Sequence, residues 1–138
     1  MQILRQDGII LPFLMAKYGY LAIGGIVGTL ARYLLTGFVH RFARLDFPYG
    51  TLAVNLSGCF LIGFLVALSG EKWMLNPNAR LLLVTGFFGA YTTFSAFILE
   101  TSNLLGEGQM TRAALNVLGS VIGGLIIFRA GVLTAELF

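Results

Sequence analysis

The sequence predicts an all-α integral membrane protein with four transmembrane helices, of which the third is broken in mid-membrane. Of its 138 residues, 57% are hydrophobic and only 11% are charged. That is too little charge to cover the surface of a soluble domain of this size. The chain also contains four apolar stretches, and each is long enough to cross a hydrocarbon core, which requires about 20 residues. A patch rich in glycine and threonine lies within the third stretch and is consistent with a break there.

The four stretches nearly exhaust the chain, so we expect residues 1–138 to form a single transmembrane domain. We predict a multi-pass protein of the inner or plasma membrane, with an N-terminal interfacial segment at residues 1–16. The apolar run in that segment is too short to span and is interrupted by Pro12. The predicted spans are residues 18–39, 47–70, 80–105 and 111–135.

The basic residues are almost evenly divided between the two sides of the predicted bundle. One side carries four and the other three, namely Arg5, Lys17, Lys72 and Arg80 against Arg41, Arg44 and Arg112. A clear bias in Lys and Arg normally sets the orientation of a membrane protein. Near balance therefore predicts insertion in both orientations and assembly as an antiparallel, dual-topology homodimer. The net charge of +3 is scattered over the chain, without the basic stripe that a nucleic-acid partner would require.

Small residues recur at a spacing of four in the first and fourth spans. Gly24 and Gly28 form one such pair, and Gly119 and Gly123 form another. This spacing lets helix backbones approach closely in a membrane. It predicts tight helix packing, which we expect to include contact with a second copy.

The strongest local signal is residues 85–97, where two glycines, three threonines and a serine lie at mid-depth. These residues weaken a helix, and irregular backbone is tolerated in a membrane only inside protein or beside a cavity. Carbonyls freed by a break can hold a small cation, whereas amides and hydroxyls can face an anion. The alternative is an intact helix whose hydroxyls bond back to the preceding turn. The spacing leaves both interpretations open.

Several uncharged side chains could contribute to an anion path. Phe94 and Phe97 share a helix face, where they either pack against neighbours or present the positive edges of their rings to an anion. Asn55 lies in a span without charges and is either a contact between helices or a hydrogen-bond donor to an anion. Asn116 and Ser120 share a face of the fourth span, and they either extend a polar track or bond across helices.

The charged residues within the spans lie away from the span centres. Arg32 either reaches the interface or attracts anions at a vestibule, and Glu100 near the end of the broken helix could cap or snorkel. The absence of a central carboxylate argues against a proton-coupled exporter. The sequence also lacks a nucleophile–base pair, a phosphate-binding loop and a metal-ligand set, so we do not expect an enzyme.

Three blocks of sequence carry a resemblance to a known family. They are GIVGTLARY at residues 25–33, PYGTLAVNLSG at residues 48–58, and GFFGAYTTFSAF at residues 86–97 followed by Glu100. From about Tyr18 onward the chain resembles the Fluc-type fluoride channel family, also called CrcB. The resemblance implies an antiparallel dual-topology homodimer that passively exports fluoride from the cytoplasm through two pores.

The resemblance also implies site residues. The implied anion path comprises Asn55, Phe94, Phe97, Thr93, Ser120 on the fourth helix, and Arg32 at the vestibule. The backbone carbonyls of Gly89 and Thr92 would hold a structural sodium ion at the dimer interface. At two positions the chain departs from the pattern. Gly124 stands where the family commonly has a second hydroxyl, and Asn116 stands where an aromatic residue can occur.

The sequence leaves two other classes of function open. A small multidrug-type exporter also has four spans and is often dual in topology, but it needs a central carboxylate. A structural or regulatory four-span protein would assemble with partners and conduct nothing. It would also tolerate alanine at Asn55 or Phe94.

Overall fold

The computed structural model describes residues 3–43, 46–71 and 76–138, without the side chains of residues 3–14 and 69–71. These residues form helices and their connections. The first span is α1 (Ile3–His40) and the second is α2 (Tyr49–Glu71). The third span comprises α3 (Pro77–Arg80), a first π-helical segment (Leu81–Phe88), α4 (Gly89–Tyr91) and α5 (Phe94–Gly106). The fourth comprises α6 (Met110–Leu118), a second π-helical segment (Gly119–Gly123) and α7 (Gly124–Ala135).

Four helical stretches in the described residues are long and apolar enough to cross a membrane, which confirms the predicted fold class at this level. They are Met15–His40, Tyr49–Leu68, Pro77–Gly106 and Met110–Ala135. Residues 3–16 continue α1 as helix, and their position at the membrane surface stays a prediction. Of the basic residues in the charge balance, Arg44 and Lys72 lie outside the described residues, as does the side chain of Arg5.

The spaced pair Gly24 and Gly28 of the first span packs against the third span of the same chain. A Cβ atom at Gly24 would overlap the carbonyl oxygen of Leu82, and one at Gly28 would overlap that of Phe87. Only glycine permits so close an approach of α1 to the first π-helical segment. The predicted tight packing is thus confirmed for this pair within one chain, and contact with a second copy stays a prediction.

A similar contact joins the second and fourth spans. A Cβ atom at Gly63 would overlap the carbonyl oxygen of Phe128, and one at Gly131 would overlap that of Phe60. Helices in a bilayer associate through close packing of this kind, because lipid provides little hydrophobic driving force. The two glycines thus lock α2 against α7 and leave the other side of α2 for the third span.

The face of α2 toward the third span forms the small core of the bundle. Val54 is fully buried there and packs with Phe88 and Tyr91. The Tyr91 hydroxyl lies 2.7 Å from Ser57 Oγ, which itself donates to the Val54 carbonyl at 3.0 Å. These contacts hold the end of α4 against α2, directly before the chain changes direction.

An ion pair links the α1–α2 connection to the start of the fourth span. Arg112 donates to Asp46 Oδ2 at 2.7 Å, with both side chains more than a third exposed. The first and third connections therefore lie at the same end of the bundle, as alternating spans require.

Candidate ion-handling site at the broken third span

The third span is interrupted at Thr92 and Thr93, which confirms the predicted break. Helix α4 ends at Tyr91 and α5 begins at Phe94. Between them Thr92 has φ −80° and ψ 156°, and Thr93 has φ −148° and ψ 116°. Both residues are thus in extended conformation. The Thr92 amide still donates to the Phe88 carbonyl at 3.1 Å. The Thr93 amide does not continue this helical pattern, so the polar groups of Thr93 need other partners.

Asn55 on α2 supplies those partners for Thr93. Its Nδ2 donates to the Thr93 carbonyl at 3.0 Å, and its Oδ1 accepts from the Thr93 amide at 2.8 Å. The side-chain amide therefore pairs with the backbone as a neighbouring strand would, through two bonds. We call these two hydrogen bonds between Asn55 and Thr93 the clamp. A primary amide has two N–H hydrogens, so the second hydrogen of Nδ2 takes no part in the clamp.

The break withdraws one donor from each of the two carbonyls that the resemblance singles out, and only the first of these donors goes to Asn55. In a continuous helix the Thr93 amide would donate to the Gly89 carbonyl, but here it donates to Asn55. The Ala96 amide would likewise donate to the Thr92 carbonyl, but it donates to Thr93 Oγ1 at 3.3 Å. The oxygens of Gly89 and Thr92 therefore lose their usual helical donors.

The hydroxyl groups near the break have distinct partners. Thr93 is the N-cap of α5 through its bond with Ala96, and its Oγ1 lies 3.3 Å from Ser95 Oγ. Thr92 Oγ1 donates to the Phe88 carbonyl at 2.9 Å. Back-bonding, which was the alternative to a break, thus occurs at the Thr92 side chain, whereas the backbone is interrupted all the same.

The two phenylalanines of the motif lie together at the start of α5. Their ring centroids are 5.5 Å apart and the rings are inclined at 47°. Phe97 is 5% exposed, whereas Phe94 is 73% exposed. The pair therefore connects the interior of the bundle with its outer surface, immediately beside the break.

Arg32 and Thr93 border the same cavity, which has a volume of about 290 Å³. Its wall is formed by one cationic residue, five residues that carry hydroxyl groups and one alanine, namely Arg32, Thr29, Tyr33, Thr36, Thr51, Thr93 and Ala96. These residues include one cation and no carboxylate, but the surface that they expose to the cavity is almost entirely apolar. The cavity therefore brings Arg32 close to Thr93 without offering an anion a polar lining.

A carboxylate lies close behind this cavity. Thr51, which lines the cavity, donates to Glu100 Oε1 at 2.6 Å. The other oxygen, Oε2, is buried without a hydrogen-bond partner. Sequence reasoning missed this contact, because Thr51 and Glu100 lie 49 residues apart on different spans.

The fourth-span candidates, Asn116 and Ser120, are not among the residues that line the cavity beside the break. Asn116 is 2% exposed and donates to Thr101 on α5 at 2.9 Å, so it bonds across helices. Ser120 is half-buried in the second π-helical segment. Gly124 is buried, and a Cβ atom there would lie 3.4 Å from Cys59 Sγ. Gly124 thus packs against the second span.

The four spans and the break that frees backbone polar groups inside the bundle indicate a class of membrane protein. Broken membrane helices of this kind occur in channels and transporters, where they surround ion sites. The model of the family described as "CrcB-like protein, Camphor Resistance (CrcB)" matches residues 19–132, and the chain belongs to this family.

Similar curated proteins agree with this assignment. One from Moorella thermoacetica (strain ATCC 39073 / JCM 9320), named "Fluoride-specific ion channel FluC 2", is 49% identical over 116 residues, which are 84% of this chain and 93% of that protein. One from Chlorobium phaeobacteroides (strain BS1), named "Fluoride-specific ion channel FluC", is 46% identical over 115 residues, 83% and 89% of the two chains. A namesake from Maridesulfovibrio salexigens (strain ATCC 14822 / DSM 2638 / NCIMB 8403 / VKM B-1763) is 43% identical over 122 residues, 83% and 97% of the two chains.

Proposed function

We propose that this chain forms a fluoride-selective channel that lets fluoride leave the cytoplasm passively. The observation that carries the proposal is the break at Thr92 and Thr93, held by Asn55 and flanked by Phe94 and Phe97. The names of the related proteins point to fluoride as the ion. The conducting chain is a multi-pass membrane protein and not an enzyme.

The side chains of Asn55, Phe94 and Phe97 suit a small, strongly hydrated anion. Fluoride must exchange water for donors that are strong enough to admit it and weak enough to release it. The second Nδ2 hydrogen of Asn55 and the positive ring edges of Phe94 and Phe97 can supply such interactions without a fixed charge. Arg32, on the wall of the 290 Å³ cavity, would concentrate anions at the entrance. Ser120 would extend the path along the fourth span.

A dimer of oppositely oriented copies is part of the proposal. The basic residues in the sequence divide nearly evenly between the two ends of the bundle, which favours insertion in both directions. Phe94 is also 73% exposed on a single chain, although it adjoins the buried Phe97. A second copy covering this surface would convert the aromatic pair into the wall of an enclosed path. We place this dimer in the inner or plasma membrane.

A structural sodium ion fits the break in this dimer. Sodium prefers oxygen ligands, and unwound backbone carbonyls provide them in other membrane proteins. The carbonyls of Gly89 and Thr92 have lost the donors from Thr93 and Ala96 that they would have in a helix. Among the described residues no three His, Cys, Asp or Glu side chains come together, so a cation at the break would use backbone oxygens. When bound, sodium would supply a fixed positive charge at the contact between copies.

The decisive experiment compares fluoride with chloride. Purified protein is reconstituted into liposomes loaded with potassium fluoride or potassium chloride, and efflux is followed with ion-selective electrodes after valinomycin is added. We expect fast fluoride efflux and little chloride efflux. Equal rates for the two ions would contradict selectivity, and protein-free rates for both would contradict conduction.

The same liposomes test the rival classes. Proton-driven uptake of a cationic dye would indicate a small multidrug-type exporter, which needs a carboxylate in mid-span. The described carboxylate nearest the cavity, Glu100, is instead bonded to Thr51. A structural four-span protein would give no flux for any ion.

A further inference from the structure

Asn116 forms a buried polar contact that joins the fourth span to the aromatic end of α5. Its Nδ2 donates to Thr101 Oγ1 at 2.9 Å, and Thr101 Oγ1 donates to the Phe97 carbonyl at 2.7 Å. Asn116 is 2% exposed, Phe97 is 5% exposed and Thr101 is 9% exposed. The three residues thus form a hydrogen-bonded series within the protein interior.

The direction of this series follows from the chemistry of its members. A threonine hydroxyl has one hydrogen, and Thr101 gives it to the Phe97 carbonyl. Thr101 can therefore only accept from Asn116, which must be the donor. Because buried hydrogen bonds of this kind are costly to leave unmade, they fix the rotamer of Thr101 and the distance between α5 and α6.

The contact acts on the part of α5 that matters for the anion path. Thr101 lies one turn after Phe97, and Phe97 lies one turn after Phe94, where α5 begins. The extended residues before Phe94 leave this end of α5 without helical support from α4. A bond to the fourth span supplies an independent support.

We propose that Asn116 is a positioning residue, which holds Phe97 and the first turns of α5 against the fourth span without touching the transported anion. This inference rests on the proposed fluoride conduction. This role differs from membership of a polar track beside Ser120, in which Asn116 would contact the anion. Asn116 is 2% exposed, and its amide donates to Thr101 and not to a passing ion.

The test uses Asn116→Ala, Thr101→Val, the double variant and Thr101→Ser. Two control variants make the same kinds of substitution at residues that take no part in the Asn116–Thr101 contact. Asn103→Ala removes an exposed asparagine from α5. Thr134→Val removes a hydroxyl that makes the same back-bond, to Ala130 at 2.7 Å, on α7. Fluoride and chloride efflux are measured per amount of protein that elutes as a single folded peak in size-exclusion chromatography.

We expect Asn116→Ala to lower fluoride efflux about tenfold and to lower the fluoride-to-chloride ratio, as for the loss of one buried hydrogen bond. Thr101→Val removes two such bonds and should lower both quantities at least as much. The double variant should lose no more than Thr101→Val alone, because Thr101→Val already removes the bond to Asn116 together with the bond to the Phe97 carbonyl. Thr101→Ser should restore efflux, and both controls should behave as wild type.

Three results would overturn the inference while leaving fluoride conduction intact. They are wild-type efflux in folded Asn116→Ala, multiplicative losses in the double variant, and failure of Thr101→Ser to restore efflux. A loss confined to thermal stability, with unchanged efflux and selectivity, would show that the contact is merely structural and would also overturn it. If wild-type protein itself conducts no fluoride, the proposed function fails instead.

Discussion

Replacing Asn55 with alanine removes both hydrogen bonds that hold Thr93 in extended conformation. The bonds measure 3.0 and 2.8 Å, and each is expected to contribute about 1 kcal/mol net. Their loss, about 2 kcal/mol in total, would lower the population of the clamped arrangement roughly thirtyfold. The Thr93 amide could then return to the Gly89 carbonyl and turn Phe94 away from its position. We expect fluoride efflux to fall by roughly tenfold or more.

The assay is fluoride efflux from liposomes, normalised to folded protein, with the exposed Asn103→Ala as a matched control. Asn55→Asp separates clamping from ion contact. An ionised carboxylate still accepts from the Thr93 amide, but it cannot donate to the Thr93 carbonyl and it repels fluoride. We expect Asn55→Asp to conduct less than Asn55→Ala. The reasoning is refuted if folded Asn55→Ala conducts within twofold of wild type.

Three further substitutions test other parts of the structure. Phe94→Ala should lower fluoride efflux about tenfold with little change in thermal stability, because its ring is 73% exposed on the single chain; wild-type efflux would exclude Phe94 from the path. Gly131→Val should lower the unfolding temperature, because its Cβ would overlap the Phe60 carbonyl oxygen and overpacking costs about 1–3 kcal/mol; unchanged thermal unfolding would contradict the close helix contact. Arg112→Gln should change stability by less than about 1 kcal/mol, because its ion pair with Asp46 is 41% and 36% exposed; a larger loss in denaturant titration would show that the pair is a major support.

The fold class was predictable because the length and apolar character of a span are properties of its own residues. The four spans follow from hydrophobic stretches bounded by loops. The position of the break was predictable only to within a patch of residues 85–97. The patch contains three threonines, and the break falls at Thr92 and Thr93 because Asn55, 38 residues away, pairs with Thr93. A contact between distant residues leaves no local pattern.

The same limit applies to the candidate site. Whether Asn116 belongs to a polar track or bonds across helices could not be decided from its spacing to Ser120, since both arrangements require one helix face. The structure shows the bond to Thr101. The π-helical segments also lacked a signal, because Leu81–Phe88 is as apolar as an ordinary span.

The sodium proposal leads to a prediction that couples the cation to the clamp. The Gly89 carbonyl is without its helical donor because the Thr93 amide is bonded to Asn55. Sodium should therefore stabilise wild-type protein in detergent, by about 2.7 kcal/mol at one hundred times its Kd. It should stabilise Asn55→Ala far less, because the Gly89 carbonyl there regains its helical donor. Thermal unfolding in sodium chloride, compared with N-methyl-D-glucamine chloride, measures both effects without any flux.

Equal stabilisation of the two proteins by sodium would mean that the cation site does not depend on the clamp. No stabilisation of wild-type protein would contradict the sodium site itself. The predicted pattern requires one asparagine to shape the anion path and the cation site through the same two hydrogen bonds.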